Sequence, residues 1–279
     1  MRLLILHHDR ADLRQIETHY VFAFCPHWEN QGVEVVHHAG CAHLPPADLV
    51  LLHVDLSVVP ERFSRALRAY PRVWNRTCLD IRKRRLPDRG LLLAAPGGYP
   101  GPVIIKTDLN CGGFSERTLF RKLKWTSDPR ELWRNFRAAR TPEQRSYPIY
   151  PTAADVPAAV WRDPDRVVEK FLPEREGDSY VVRWAYFCGA RQMAFRSVST
   201  KPVVRWSPGD VERPIPISPE IVAYRERIGL DYGKIDYVEH EGRSLVLDVN
   251  KTIGGPGRSE RDSFLTGQLA PGLLEWYSA

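Results

Sequence analysis

No apolar run in this chain approaches the roughly 18 residues that a membrane-spanning helix requires, so the sequence gives no reason to expect a membrane protein. There is no CxxC pair either. The five cysteines, Cys25, Cys41, Cys78, Cys111 and Cys188, are odd in number and widely scattered, which argues for reduced thiols in a cytoplasmic protein. Internal repeats and low-complexity tracts are missing, as are recognition-helix, zinc-finger and RNA-binding signatures. What is present is a chain of 279 residues, 43% hydrophobic, with a mean hydropathy of −0.37. That length supports two or three packed lobes. The formal charge of +6 comes from arginines dispersed along the chain, so it suits a small phosphate or carboxylate ligand better than nucleic acid. The opening Met1-Arg2-Leu3-Leu4-Ile5-Leu6-His7-His8-Asp9 turns charged too soon for a signal segment and reads as a first strand.

The most informative segment lies near the C-terminus. Ile235-Asp236-Tyr237-Val238, a turn at Glu241-Gly242-Arg243, and Leu245-Val246-Leu247-Asp248-Val249-Asn250-Lys251 read as a β-hairpin. Side chains at i and i+2 share a strand face, which puts Asp248 and Asn250 together. A suitable register adds Asp236. Three hard oxygen ligands on one surface suit Mg²⁺ rather than zinc. Upstream, Pro102-Val103-Ile104-Ile105-Lys106 is a short apolar strand ending in lysine, followed by Asn110-Cys111-Gly112-Gly113. A strand-end lysine can reach a phosphate as a point charge, and a Gly-Gly turn lets backbone N–H groups approach phosphate oxygens. The spacing is not that of a P-loop.

A third element, Val168-Glu169-Lys170-Phe171-Leu172, precedes Asp178-Ser179-Tyr180-Val181-Val182-Arg183-Trp184 and Met193-Ala194-Phe195-Arg196. In this order the elements resemble the ATP-grasp superfamily, which includes glutathione synthetase, D-alanine–D-alanine ligase and ribosomal-protein glutamate ligases. The resemblance spans roughly residues 75–257. It implies an α/β (α+β) ATP-grasp fold, with a small N-terminal parallel α/β lobe (1–95), a central lobe (96–175) and a C-terminal lobe carrying the metal site (176–279). It also implies ATP and Mg²⁺ as cofactors, with Lys106, Gly112 and Gly113 at the phosphates and Glu169, Lys170, Phe171 and Leu172 around the adenine. Glu176 or Asp178 falls where the family binds ribose, and Lys83 stands for its second phosphate lysine. Asp236, Asp248 and Asn250 match the metal motif. Arg196, with Arg183 second, corresponds to arginines over the transferred phosphoryl group. Two departures are visible. The terminal motif usually begins with Glu where this chain has Asp248, and Lys251 follows the asparagine, where it could hold the γ-phosphate or a substrate carboxylate. The number of magnesium ions stays open.

The implied activity is ATP-dependent amide formation between a carboxylate and an amine through an acylphosphate, on small-molecule or peptide substrates. A kinase of the same fold and a non-catalytic ATP-binding regulatory protein are the alternatives. Substrate identity and oligomeric state, a homodimer included, are left open. Strands are expected over 2–8, 33–38, 49–53 and near Val73, with helices over 60–70 and 129–137. A Pro/Gly-rich linker runs over 86–102, and a largely antiparallel region closes the chain. Eight of the nine histidines (His7, His8, His19, His27, His37, His38, His43 and His53) crowd into the first lobe. They read as histidines capping strand ends, as a substrate pocket facing the ATP site, or as a second metal site. The tryptophans read as packing residues.

Overall fold

The computed structural model describes residues 1–12, 16–120, 147–204, 211–255 and 260–279. The helix expected over 129–137, Trp125, Trp133, Trp206 and residues 256–258 lie outside the described residues. Three sheets organise the described residues. In the first, β1 (Arg2–His7), β2 (Glu34–Ala39), β3 (Leu49–Leu52) and β4 (Val73–Trp74) are all parallel, in the order β2-β1-β3-β4. β1 and β3 show no polar alternation because both of their faces are covered. Leu3, Ile5, Leu49 and Leu51 pack toward α1 (Tyr20–Glu29), while Leu4, Leu6, Val50 and Leu52 pack toward Phe63 of α2 (Glu61–Ala66).

The second sheet is antiparallel, with β5 (Val103–Thr107) between β6 (Ile149–Tyr150) and β7 (Arg166–Lys170). α3 (Phe114–Phe120) follows β5, and α4 (Ala158–Arg162) precedes β7. Alternation sends Val103, Ile105 and Val168 into a small core with Ala153 and Val156. Ile104, Lys106 and Glu169 are left on the opposite face.

The third sheet contains β8 (Glu174–Glu176), β9 (Ser179–Cys188), β10 (Arg191–Ser199), β11 (Val211–Ile215), β12 (Tyr232–His240) and β13 (Arg243–Asn250). Its order is β11-β10-β9-β12-β13, with β8 on β9, and every pairing is antiparallel. One face, with Val182, Trp184 and Tyr186, shares a core with α1, α6 (Glu260–Leu269) and α7 (Gly272–Ser278). The other, with Ala185, Phe187, Ile235, Tyr237 and Val246, is backed by Ile221 and Tyr224 of α5 (Pro219–Ile228). That helix starts with Pro219 at its first turn and ends at Gly229, whose φ of 65° closes it in the left-handed region. Among the described residues, no helix is long and apolar enough to cross a membrane.

Candidate active site

The hairpin β12–β13 builds one wall of a cleft. Asp236 sits directly across from Asp248, and Lys234 across from Asn250. One step further the register shifts, so that Tyr237 pairs with Val246 and Leu247 is an extra residue in β13. This bulge has a specific effect. Regular alternation would turn Leu247 away from the face of Asp248, yet both line the same cleft of about 330 Å³. An apolar side chain and a carboxylate are thereby placed side by side.

Two carboxylates set opposite each other repel, and the sequence supplies a cation for each. Lys234 Nζ lies 2.8 Å from Asp236 Oδ1, and Lys83 Nζ lies 3.4 Å from Asp248 Oδ2. Burial disfavours the Lys234 ammonium, but Asp236 outweighs it and raises the pKa. Burial also opposes charge on Lys83, where Asp248 and Glu169 prevail and the pKa is again raised. Lys83 occupies a 3₁₀ turn (Lys83–Arg85), and its ammonium also donates to Leu109 O at 3.1 Å. Asn250 is oriented by Asn110, whose Nδ2 donates to Asn250 Oδ1 at 2.6 Å. Among the described residues no three His, Cys, Asp or Glu side chains gather as a metal centre. Asp236, Asp248 and the Asn250 amide form an all-oxygen set with only two carboxylates. That suits Mg²⁺, which keeps waters and substrate phosphates as its remaining ligands.

The facing wall comes from the second sheet, where Ile104 and Lys106 of β5 and Glu169 of β7 line the cleft. Lys106 Nζ is 2.8 Å from Glu169 Oε2, and Arg89 donates to Glu169 Oε1. Burial pushes the Glu169 carboxyl up, but Lys106 and Arg89 dominate and hold it down at about 2. Its carboxylate is therefore committed to two cations and fixes Lys106. Arg89 was not picked out from the sequence. It is buried and also donates to the carbonyls of Val246 and of the bulged residue Leu247. One guanidinium thus ties the β7 carboxylate to the irregularity in β13. Beyond Glu169, Lys170, Phe171 and Leu172 continue the cleft, and Lys170 and Phe171 donate their N–H groups to Leu92 O and Pro102 O. Trp184 lines the same space with Lys234 Nζ 5.3 Å from its ring centroid, so it contributes more than packing.

Of the residues picked out from the sequence, Lys83, Lys106, Glu169, Lys170, Phe171, Leu172, Asp236, Asp248 and Asn250 converge on this cleft. Lys234 joins them unannounced, although it stands two positions before Asp236 and the strand period could have revealed it. Gly112 and Gly113 form a left-handed stretch with Cys111 (φ 64°, 73° and 45°), next to Cys111 on the cleft wall. The structure does not bring the two arginines in. Arg183 pairs across strands with Arg196, on the face of β9 and β10 opposite to Trp184 and Phe195. There Arg183 grips Glu174 with bonds of 2.7–3.1 Å, and Arg196 pairs with Glu176. Glu176 and Asp178 are exposed outside the cleft. Lys251 is fully buried, donates to Leu56 O and is driven toward neutrality by burial. It secures the end of β13 to the first lobe and does not reach the cleft.

No family model and no curated protein matches the sequence. Solved structures do match in shape. The RimK-domain ATP-grasp protein of Sphaerobacter thermophilus covers all of both chains at 13% identity and a TM-score of 0.51. The fold is that of the ATP-grasp proteins. The D-alanine–D-alanine ligase of Bacillus anthracis complexed with ATP matches over 100% of this chain and 96% of its own, at 12% identity and a TM-score of 0.50. The macrocyclase MdnC of Microcystis aeruginosa, bound with precursor peptide MdnA, matches over 99% of this chain and 100% of its own, at 10% identity and a TM-score of 0.50. In this ATP-grasp fold the cleft lies between the second and third sheets.

Proposed function

We propose that this chain is an ATP-dependent carboxylate–amine ligase, forming an amide through an acylphosphate. The observation that carries the reading is the oxygen face of Asp236, Asp248 and Asn250, set among Lys83, Lys106 and Lys234 beside an apolar-walled slot. Such a slot takes a planar base between Ile104, Phe171, Trp184 and Leu247, with the triphosphate directed at the lysines. Magnesium held by the three oxygen ligands would neutralise charge on the triphosphate. A carboxylate is a poor electrophile, and accepting the γ-phosphoryl group converts it into a mixed anhydride with a good leaving group. Little covalent chemistry is asked of the protein in that step, and its work is positioning and charge compensation. Lys234 and Lys106 supply the cations over the transferring group, Lys83 stands behind them, and the N–H groups of Gly112 and Gly113 approach the phosphates. Glu169 and Arg89 hold Lys106 in place. The roles of Arg183 and Arg196 in this scheme are structural, clamping β8 to the neighbouring strands. The five free cysteines support a reducing, cytoplasmic setting.

Calorimetric titration with ATP, with and without Mg²⁺, tests the nucleotide site. Magnesium-dependent binding with preference for ATP over GTP is expected, and its absence would remove the proposal. A screen of acid–amine pairs for ADP and phosphate release then separates a ligase from a kinase, which would leave a stable phosphorylated product. Asn250→Ala should abolish magnesium-dependent turnover while the circular dichroism spectrum stays native. Full activity in that variant would sink the metal assignment.

A further inference from the structure

Four histidines of the first lobe make one connected system at the C-terminal edge of its parallel sheet. His7 closes β1, His53 follows β3, His37 lies in β2 and His19 precedes α1. His7 Nε2 is 2.9 Å from His37 Nδ1, and His53 Nδ1 is 3.4 Å from His7 Nδ1. His37 Nε2 approaches Cys25 Sγ at 3.5 Å, and the Cys25 thiol donates to Val21 O at 3.1 Å. Burial raises the Cys25 thiol to about 12, so it keeps its proton. Burial, with the neighbouring imidazoles, lowers His7 to about 3 and His53 well below its ordinary value, and burial lowers His37. All three rings are therefore neutral, with one N–H each.

Those facts assign every proton in the chain. Cys25 spends its hydrogen on Val21, so its sulfur accepts from His37 Nε2–H. His37 Nδ1 is then a lone pair and accepts from His7 Nε2–H. His7 Nδ1 in turn accepts from His53 Nδ1–H. What is left over is His53 Nε2, a bare acceptor with no partner among the described residues. Two other polar atoms near it are also unpartnered: His19 Nδ1, on a ring 5.6 Å from that of His53, and Tyr232 Oη, on a ring 6.1 Å away. His53 and Tyr232 are almost wholly buried. Leaving such groups unsatisfied is costly unless something binds them.

Tyr232 connects this place to the cleft. It shares a face of β12 with Lys234 and Asp236, about 7 and 13 Å along the strand at ~3.3 Å per residue. Asp55 forms a second link. It accepts from Ser115 Oγ at 2.6 Å and Thr252 Oγ1 at 2.5 Å, and its charge acts on both His19 and the cleft residue Cys111. The chemistry of these three unpartnered atoms is selective. A carboxylate would set oxygen lone pairs against that of His53 Nε2, and no cationic imidazole is present to attract it. Among the described residues, metal ions have no three suitably gathered ligands here. An uncharged nitrogen that donates an N–H fits.

We propose that His53, His19 and Tyr232 form the binding pocket for the amine substrate, which enters uncharged and donates an N–H to His53 Nε2. This rests on the ligase reading and names the site of its second substrate. The ammonium proton is left in solvent, because only the uncharged amine carries the lone pair that forms the new bond. With one N–H held by His53, the nitrogen lone pair is free to form the C–N bond to the acyl carbon. The C–O bond to phosphate breaks with its electron pair going to phosphate, whose oxygen takes the proton that nitrogen then sheds.

The test is a ¹⁵N-histidine NMR spectrum of the full-length protein, with His53 resonances assigned by their loss in His53→Asn. His53 should be the Nδ1–H tautomer, and His7 and His37 the Nε2–H tautomer. Hydroxylamine, an uncharged N–H donor at neutral pH, should move the His53 Nε2 resonance, and acetate should not. Tyr232→Phe should weaken that response about tenfold, as loss of one hydrogen bond does. An Nε2–H tautomer at His53 in the wild type, or a response to acetate in place of hydroxylamine, overturns the proposal, and if His53→Asn fails to fold the assignment is made through ring-to-backbone correlations in the wild type. ATP titration separates the two readings. Nucleotide binding with a silent His53 removes the amine pocket alone, and a responsive His53 in a chain that does not bind ATP removes the ligase reading alone.

Discussion

Lys234 and Arg196 are the two side chains whose comparison tests the site most sharply. Lys234 is a cation inside the cleft, 2.8 Å from Asp236. Lys234→Met should lower turnover about 10²–10³-fold, the usual cost of removing one group that stabilises transition-state charge, measured as ADP release at saturating ATP. Unchanged turnover would exclude it from the phosphoryl centre. Arg196 faces the other way and pairs with Glu176, a partner left 59% exposed. Arg196→Ala should leave ATP–Mg²⁺ affinity unchanged and cost no more than ~1 kcal/mol of stability. Loss of nucleotide binding in that variant would contradict the placement. The difference between the two residues was half-legible in the sequence. Strand parity identifies which side chains share a face, so the spacing of Asp248 and Asn250 alone groups them. Parity does not say which face of β9 meets the second sheet. Arg183 and Arg196, which the resemblance sets over the phosphoryl group, face each other across β9 and β10 outside the cleft lining, while Lys234, two residues from Asp236, was within reach of strand parity.

At the scale of elements, the bulge at Leu247 depends on Arg89. The guanidinium caps the carbonyls of Val246 and Leu247 and neutralises Glu169. Arg89→Met removes one partner of a buried pair and should destabilise the fold by about 3–5 kcal/mol, read as a drop in the urea midpoint at constant slope. A midpoint within experimental error of wild type would show that the bulge holds itself. None of this was readable from the sequence, because Arg89 meets partners 80 and 157 residues away. Other elements were plain. β1 and β3 announce themselves as unbroken apolar runs, and the Gly242 turn marks the β12–β13 hairpin. α1 was hidden by Pro26, even though its buried positions, Tyr20, Val21, Phe24, Cys25 and Trp28, follow a helical period.

At the scale of the whole molecule, the buried neutral histidines set the acid limit of stability. The unfolded chain protonates His7 below about 6.5, whereas the native state resists until about 3. The unfolded state then binds more protons, and stability falls as pH drops through that window. Glu169, held at about 2 against an ordinary 4.5, adds to the loss below about pH 4.5 with the same sign. Urea midpoints should be flat above pH 7 and decline steadily from about 6.5 downward, and a curve flat to pH 4 would contradict the burial of these groups.

The paired charges of the cleft have one more implication. Each carboxylate of β12 and β13 already has an ammonium beside it, so a divalent cation arriving alone must evict a lysine that has nowhere better to go. A triphosphate arriving alone meets lysines already engaged by Asp236 and Asp248. On the proposed reading, when the two come together the lysines would turn to phosphate and the carboxylates to the metal, and neither charge would be stranded. The cleft would then work as an exchange in which each ligand makes room for the other, and by linkage each would raise the other's affinity by the same factor. Such a protein would be deaf to free magnesium and to bare nucleotide, and would respond to the chelate as a single molecule.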